Sequence, residues 1–371
     1  MNFEFSEEQQ FIREQARNFL SQESTPAVVR GVLETDALLD RGLWDKIVEL
    51  GWTAMAVPEA FGGLGLGYLE LCVVAEELGR TLAPVPFSSS VYLATEAIRS
   101  FGSEEQKQHY LPKLAAGELI GTLADCEGNG SPSVGLQITG ATKASGVMVS
   151  GVKMPVPDGE LADFAVLSAR DASGAMRLYI ADLTHNSVQR SALNSLDPSR
   201  PQSRVQFTAT PVEPVGDSAG AAQLSELLDR AAVMLAFEQI GGCQAAMEMG
   251  IAYTKERYAF GRPVASFQAI KHKFADMYVA LELARSNAYY GVAALSCDAP
   301  DLPLAAATAR VSATDAYWLI SKENIQAHGG MGFTWEFDCH LYYRRAQLLS
   351  SLIGTMPHWK ELVTSRLLDA A

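Results

Sequence analysis

Three stretches of this sequence combine a charged or amide side chain with a turn, at a spacing that suits a bound anion. The first is ERYAFGRPVASFQ, Glu256 to Gln268. Arg257 closes a long helical pattern there, Gly261–Arg262–Pro263 makes a turn, and Gln268 opens the next helix. A guanidinium beside a fresh helix N-terminus is an anion site. Taken alone, the plainer reading is an arginine that complements the helix dipole. The second stretch is IQAHGGMGFTWE, Ile325 to Glu336. His328, Gly329 and Gly330 end a helix, and the glycines let a ligand reach the backbone. No strand precedes them and no βαβ unit surrounds them, so they are not a dinucleotide fingerprint. Alone they read as a helix cap with a tight turn. The third is HLYYRRA, His340 to Ala346, two arginines beside aromatics. That pattern suits a phosphate or, more commonly, a packed ion-pair cluster.

Composition narrows the partners. The formal net charge of −14 disfavours nucleic acid and anionic membranes. An anionic ligand must then be met by local cations or helix N-termini. Cys72, Cys126, Cys243, Cys297 and Cys339 are scattered and never in CxxC spacing, which argues against a disulfide framework or a zinc site. A reducing cytoplasm is the expected setting. The start, MNFEFSEEQQ, is acidic and does not read as a signal peptide. No apolar run reaches the roughly 18 residues of a membrane span. A chain of 371 residues is long enough for two or three domains.

The elements that position these stretches follow from periodicity. Phe5, Phe11, Ile12, Ala16 and Leu20 recur at helical spacing behind Ser6, a plausible N-cap. Leu43, Ile47 and Leu50 make a short helix ending at Gly51. Ala56 to Gly67 is a Gly/Pro loop, Tyr68 to Leu78 a helix stopped by Gly79, and Ser103 caps another that ends before Gly117. From Leu119 onward the segments become short and strand-like: GVMVSGVKMPVP, FAVLSAR, RLYIADL and RVQFTAT, which predict a small sheet or barrel. From Gln223 the chain is helical again: Leu224 to Ala259, Phe267 to Leu295, Leu304 to His328, and Leu341 to Leu368 with interruptions at Gly354 and Pro357. Four long helices joined by short turns predict an antiparallel bundle.

Together and in this order, GWTAMAVPEAFGGLGLG, VVAEELGR, FGSEEQKQHYLPKLAAGE, ADCE, ERYAFGRPVASFQAIKHKFADM and IQAHGGMGFTWE resemble the acyl-CoA dehydrogenase family over nearly the whole chain. The resemblance implies the acyl-CoA dehydrogenase fold: an all-α N-terminal domain (1–119), a middle β-barrel-like domain (120–222) and a C-terminal antiparallel four-helix bundle (223–371). It implies FAD, with the isoalloxazine ring between β-domain and bundle and the pyrophosphate and adenosine reaching a neighbouring subunit. The assembly would be a tetramer built as a pair of dimers. The reaction would be α,β-desaturation of an acyl-CoA. A glutamate takes the α-proton, the β-hydrogen leaves as hydride to the flavin, and electron-transferring flavoprotein takes the electrons. On the neighbour's side of that cofactor, Arg257, Phe260 and Gln268 match one contact strip and Gln326, Gly329 and Gly330 the other. Arg257 would neutralise pyrophosphate charge, Phe260 would pack the cofactor and Gln268 would hydrogen-bond it. On the chain's own side, Cys126, the backbone of Val156, and Thr355 stand at the matching positions.

The departures from the family are as telling. Where the family's base stands in a Tyr-Glu-Gly-Thr stretch, this chain has Leu352–Ile353–Gly354–Thr355. Isoleucine accepts no proton. The alternative base position, on the first bundle helix, falls on Ala231. Glu238, two turns on, shares that face about 10 Å away and lies in the apolar run LAFEQIGG. A buried carboxyl with a raised pKa is what a base looks like. The plainer reading pairs Glu238 with an arginine or lysine at a subunit interface. In the β-domain, DCEGNGS keeps Glu127 but sets Cys126 at a usual threonine, and KMPVPDG sets Pro155 and Pro157 at aromatic and hydroxyl positions. Proline offers no N–H, and the loss of a bulky aromatic at Pro155 would suit a ring-bearing or branched acyl chain.

Such departures resemble bacterial α2β2 acyl-CoA dehydrogenases of steroid, dicarboxylate and aromatic catabolism. In these, one subunit brings the base and the other completes the FAD interface. The expectation is a base-lacking subunit of that kind. The alternatives are a self-sufficient homotetramer using Glu238, a non-catalytic structural subunit, and an oxidase or monooxygenase of the same fold.

Overall fold

The structure, a computed structural model, describes residues 6–128, 139–143, 146–217 and 219–369. Phe5 and the end of the DCEGNGS stretch lie outside the described residues. The first layer holds α1 (Glu7–Glu23), α2 (Pro26–Leu33), α3 (Arg41–Glu49), α4 (Tyr68–Arg80), α5 (Glu96–Phe101) and α6 (Glu104–Ala115). Ser6 caps α1 by accepting from the Gln9 N–H at 3.2 Å, while the Gln9 side chain accepts from the Ser6 N–H at 3.0 Å. Ser103 and Gln106 repeat this box at α6. Helix α2 and a buried π-helical segment, Ser88–Thr95, escape the periodic reading. The first is only two turns long. The second is buried on every side and so shows no polar face.

The middle of the chain forms β1 (Gly121–Ala124), β2 (Thr139–Lys143), β3 (Gly146–Pro157), β4 (Phe164–Arg170), β5 (Met176–Asp182), β6 (Val188–Leu193) and β7 (Gln202–Pro214). β2 pairs with β3, β3 with β7, β7 with β5, and β5 with β4, all antiparallel. A parallel pairing of Thr139 with Arg170 joins β2 back to β4 and closes the circuit into a barrel. β1 lies parallel to β4, and β6 flanks β7. The apolar run FAVLSAR is β4, which is buried along almost its whole length. β6, VQRSAL, is half-exposed and too polar to be read as a strand from sequence.

The last layer holds α7 (Ala221–Glu256), α8 (Gln268–Ser296), α9 (Leu302–His328), α10 (Cys339–Ser351) and α11 (Met356–Asp369). Helix α7 stops at Glu256, short of the expected Ala259. Tyr258–Ala259 instead pairs with Arg262–Pro263 as a two-stranded ribbon, β8 and β9. The fourth helical pattern is two helices, broken at Gly354, with Pro357 in the first turn of α11, where a proline fits. Gly79 does not stop α4, which runs on to Arg80. Its missing side chain has another cause. A Cβ at Gly79 would stand 1.8 Å from the carbonyl oxygen of Glu238, and one at Gly241 would stand 1.7 Å from that of Glu76. Helices α4 and α7 therefore cross backbone against backbone, and α7 runs through the centre with both faces covered. No helix among the described residues is long and apolar enough to cross a membrane. All five cysteines are free.

Candidate functional site

Six of the singled-out residues meet at one end of the bundle. Tyr253, in the last turn of α7, stacks on His328 of α9 at 4.2 Å, and Lys273 of α8 pairs with Glu323 of α9. These contacts join the end of α7 and the first turns of α8 to the end of α9, the parts of the chain that carry Arg257, Gln268, Gln326, Gly329 and Gly330, and all five are exposed. Phe260 sits at the tip of the ribbon and is 96% exposed. Phe260 and Gly261 both have positive φ, +52° and +80°, as a type I′ two-residue turn requires. Phenylalanine there is uncommon and strained. A Cβ placed on Gly329 or Gly330 would meet nothing within 4 Å, so their backbone faces open space. No ion pair or side-chain hydrogen bond ties Arg257 or Gln268 to another described residue. His328 is buried and bonded through Nδ1 to the Asn324 carbonyl at 2.8 Å, and burial lowers its pKa. Its ring packs against Tyr253 and Phe337 at this end of the bundle.

The other candidates lie at the seam between barrel and bundle. The Cys126 carbonyl accepts from the Met154 N–H at 2.9 Å, Val156 is fully buried opposite Ser203, and the Thr355 carbonyl accepts from the Trp359 N–H at 3.1 Å at the head of α11. Ile353 is buried, and the Trp359 indole donates to its carbonyl at 3.1 Å. Ala231 is buried too. Glu238 is 3% exposed, with Oε1 3.3 Å from Arg200 Nη1 and 3.7 Å from Arg345 Nη1. Both arginines belong to this chain, so the pairing is internal and not across a subunit interface. The geometry brings Glu238 to two cations and gives it a charge-balancing part.

Around that carboxylate the seam is filled. Arg345 donates from Nε to Asp197 at 2.6 Å and from Nη2 to Ser199 Oγ at 3.0 Å and the Leu82 carbonyl at 3.1 Å. Arg200 also donates to Ser88, and Ser89 donates to Asp158. Beside this network a cleft of about 220 Å³ remains, lined by Pro155, Leu196, Gln202, Leu348 and Leu352 among others. Ligand pockets are usually about 300–1,000 Å³. Ser195 Oγ and Gln347 Nε2 in that cleft are buried with no partner among the described residues. The strip therefore fits the outer part of a dinucleotide, with a free guanidinium, an amide and open backbone. The cleft left at the seam of this chain is smaller than that range.

The chain was next compared with known proteins. Residues 6–118 match the acyl-CoA dehydrogenase N-terminal domain model and residues 218–368 the C-terminal domain model. Acyl-CoA dehydrogenase IpdE2 of Mycobacterium tuberculosis is 35% identical over 350 residues, covering 93% of this chain and 94% of its own. The chain belongs to the acyl-CoA dehydrogenase family. Among solved structures of the family, the ChsE4–ChsE5 complex of Mycobacterium tuberculosis contains a chain with a TM-score of 0.90 at 26% identity, covering 99% of both chains. The Tcur3481–Tcur3483 steroid ACAD contains one with a TM-score of 0.89 at 28% identity, covering 98% of both.

Sequence reasoning passed over two features of this acyl-CoA dehydrogenase. Lys153 is wholly buried, with Nζ 2.8 Å from Glu127 Oε1 and 3.1 Å from Ser168 Oγ, and burial lowers its pKa. The signal was available, because in β3 Lys153 has the same parity as the inward-facing Val149. Beside it, Asp125 is buried with Oδ2 unpartnered among the described residues, and desolvation raises its pKa to about 6. The second feature, the inward-turned loop with Asp197, Ser199 and Arg200, has no periodic signal.

Proposed function

We propose that this chain is a subunit of an FAD-dependent acyl-CoA dehydrogenase that introduces an α,β double bond into an acyl-CoA. In this reading it brings no base of its own and clasps the FAD of a glutamate-bearing partner. The carrying observation is the contrast between the two regions: the outer strip is exposed and unengaged, while the seam is filled and has Ile353 at the base position. FAD, when bound, accepts the substrate's β-hydrogen as hydride.

This chain's own residues hold and orient. Arg257 offsets pyrophosphate charge at the end of α7, and Gln268 donates from the first turn of α8. Phe260 covers the cofactor, and the bare backbone at Gly329–Gly330 allows close approach. The partner would be an unlike homologue in a dimer of dimers, with electron-transferring flavoprotein as electron acceptor and the cytoplasm as setting. Likeness to a structure named as a steroid ACAD favours a ring-bearing acyl group, and likeness to the ChsE4–ChsE5 complex favours a paired assembly.

The test is FAD per chain, by absorbance, for the protein purified alone and after co-expression with a glutamate-bearing homologue. The expected result is no FAD alone and one FAD per unlike pair. One FAD per chain for the protein alone would overturn this reading in favour of a self-sufficient homo-oligomer.

A further inference from the structure

The loop between β6 and β7, residues 194–201, departs from ordinary loop behaviour. Three of its side chains, Asp197, Ser199 and Arg200, are at most 4% exposed, while Leu196 between them and the surface is 49% exposed. Loops normally keep their polar groups in water, because an unpaired buried one costs stability. Here the loop turns its charges inward and pairs them across three layers. Arg200 reaches Ser88 of the π-helical segment and Glu238 of α7. Asp197 and Ser199 meet Arg345 of α10.

The backbone is fixed as well. Ser199 N–H donates to Asp197 Oδ1 at 3.2 Å, Asp158 N–H to the Pro201 carbonyl at 2.9 Å, and Arg344 Nη1 to the Leu196 carbonyl at 2.6 Å. Pro198 and Pro201 remove two further degrees of freedom. The same loop supplies Asn194, Ser195 and Leu196 to one wall of the small cleft that remains.

We infer that residues 194–201 are a built-in strap that closes this chain's own flavin-ring half-site with protein atoms, so that the seam is shut without a cofactor. This rests on the proposed function for its meaning, since a shut seam leaves FAD to the partner's side. It stands on its own as a statement about the isolated chain. The network couples two guanidinium groups, the carboxylates of Glu238 and Asp197, and the hydroxyls of Ser88 and Ser199, with Asp158 bonded alongside; Arg200 Nε and Arg345 Nη1 have no hydrogen-bond partner among the described residues. Removing one member leaves the others buried and unpaired, which ties the strap's position to each of them.

Amide hydrogen exchange on the isolated full chain reads this directly. The strap amides are expected to exchange as slowly as those of β7, with no change when FAD is added. Glu238→Gln removes the shared charge while keeping the shape. It is expected to speed exchange in 194–201 by at least about tenfold, the factor that losing one charged hydrogen bond gives, with little change in α8 or α9. Should that variant fail to fold, Ser88→Ala removes a single acceptor and serves the same comparison. Fast exchange of the strap in the wild-type chain, slowing of it by FAD, or a rise spread evenly over the molecule would overturn the inference. Failure of the proposed function would show instead in the FAD count of the paired enzyme, with strap exchange unaffected.

Discussion

At the scale of single residues, the buried charges divide into those paired with a counter-charge and those, Asp125 and Arg310 among them, that make no ion pair with a described residue. Glu238, Arg200, Arg345 and Asp197 offset each other. Asp125 does not: its Oδ2 is unpartnered among the described residues, and burial, only partly countered by Lys153, raises its pKa from 3.8 to about 6. A carboxyl whose folded pKa lies above its unfolded one contributes stability that is complete below the unfolded value and is lost as pH rises through the folded value. The loss here falls between about pH 4 and pH 6 and is on the order of 3 kcal/mol. Asp125→Asn should therefore raise Tm at pH 8 and leave the difference from wild type near zero at pH 4. A difference of equal size at both pH values in a thermal melt would contradict this.

At the scale of elements, the crossing of α4 and α7 is the tightest contact described. Gly79→Val would drive a branched side chain into the Glu238 carbonyl, where neither backbone can give way. Overpacking typically costs about 1–3 kcal/mol and more when backbone must move. A chemical melt of this variant should show a loss of at least that size, against almost none for Gly31→Val, where nothing lies within 4 Å. Elements were legible in the sequence where one face or a long run carried the pattern. β3 matches the stretch GVMVSGVKMPVP residue for residue, and the ends of α8 and α9 fall within two residues of the reading. The π-helical segment and β6 were not legible, since one is buried all round and the other is polar. The same logic sorts the site. Arg257, Phe260 and Gln268 could be singled out because a local motif holds them. The strap was missed because the burial of Asp197 and Arg200 depends on Arg345 and Glu238, which are distant in sequence.

At the scale of the whole molecule, the proposed function gives the strip at the end of the bundle a part only in an assembly. Arg257→Ala removes an exposed cation that no described residue uses, so the isolated chain should melt at the wild-type temperature. In the paired enzyme the same change should weaken FAD retention by about 10–100-fold, the range for a charged hydrogen bond, as read by flavin release on dilution. A drop in Tm of the isolated chain, or unchanged retention, would place Arg257 outside the clasp. The barrel meets the helical layers at the strap, at β1 against the π-helical segment, and through Gln106 Nε2, which donates to the Pro214 carbonyl at 2.8 Å. Because α4 and α7 touch backbone to backbone at Gly79 and Gly241, the two helical layers can neither slide nor roll past each other. The helical layers are interlocked at that crossing, while Arg200 and Arg345 tie the β6–β7 corner of the barrel to α7 and α10.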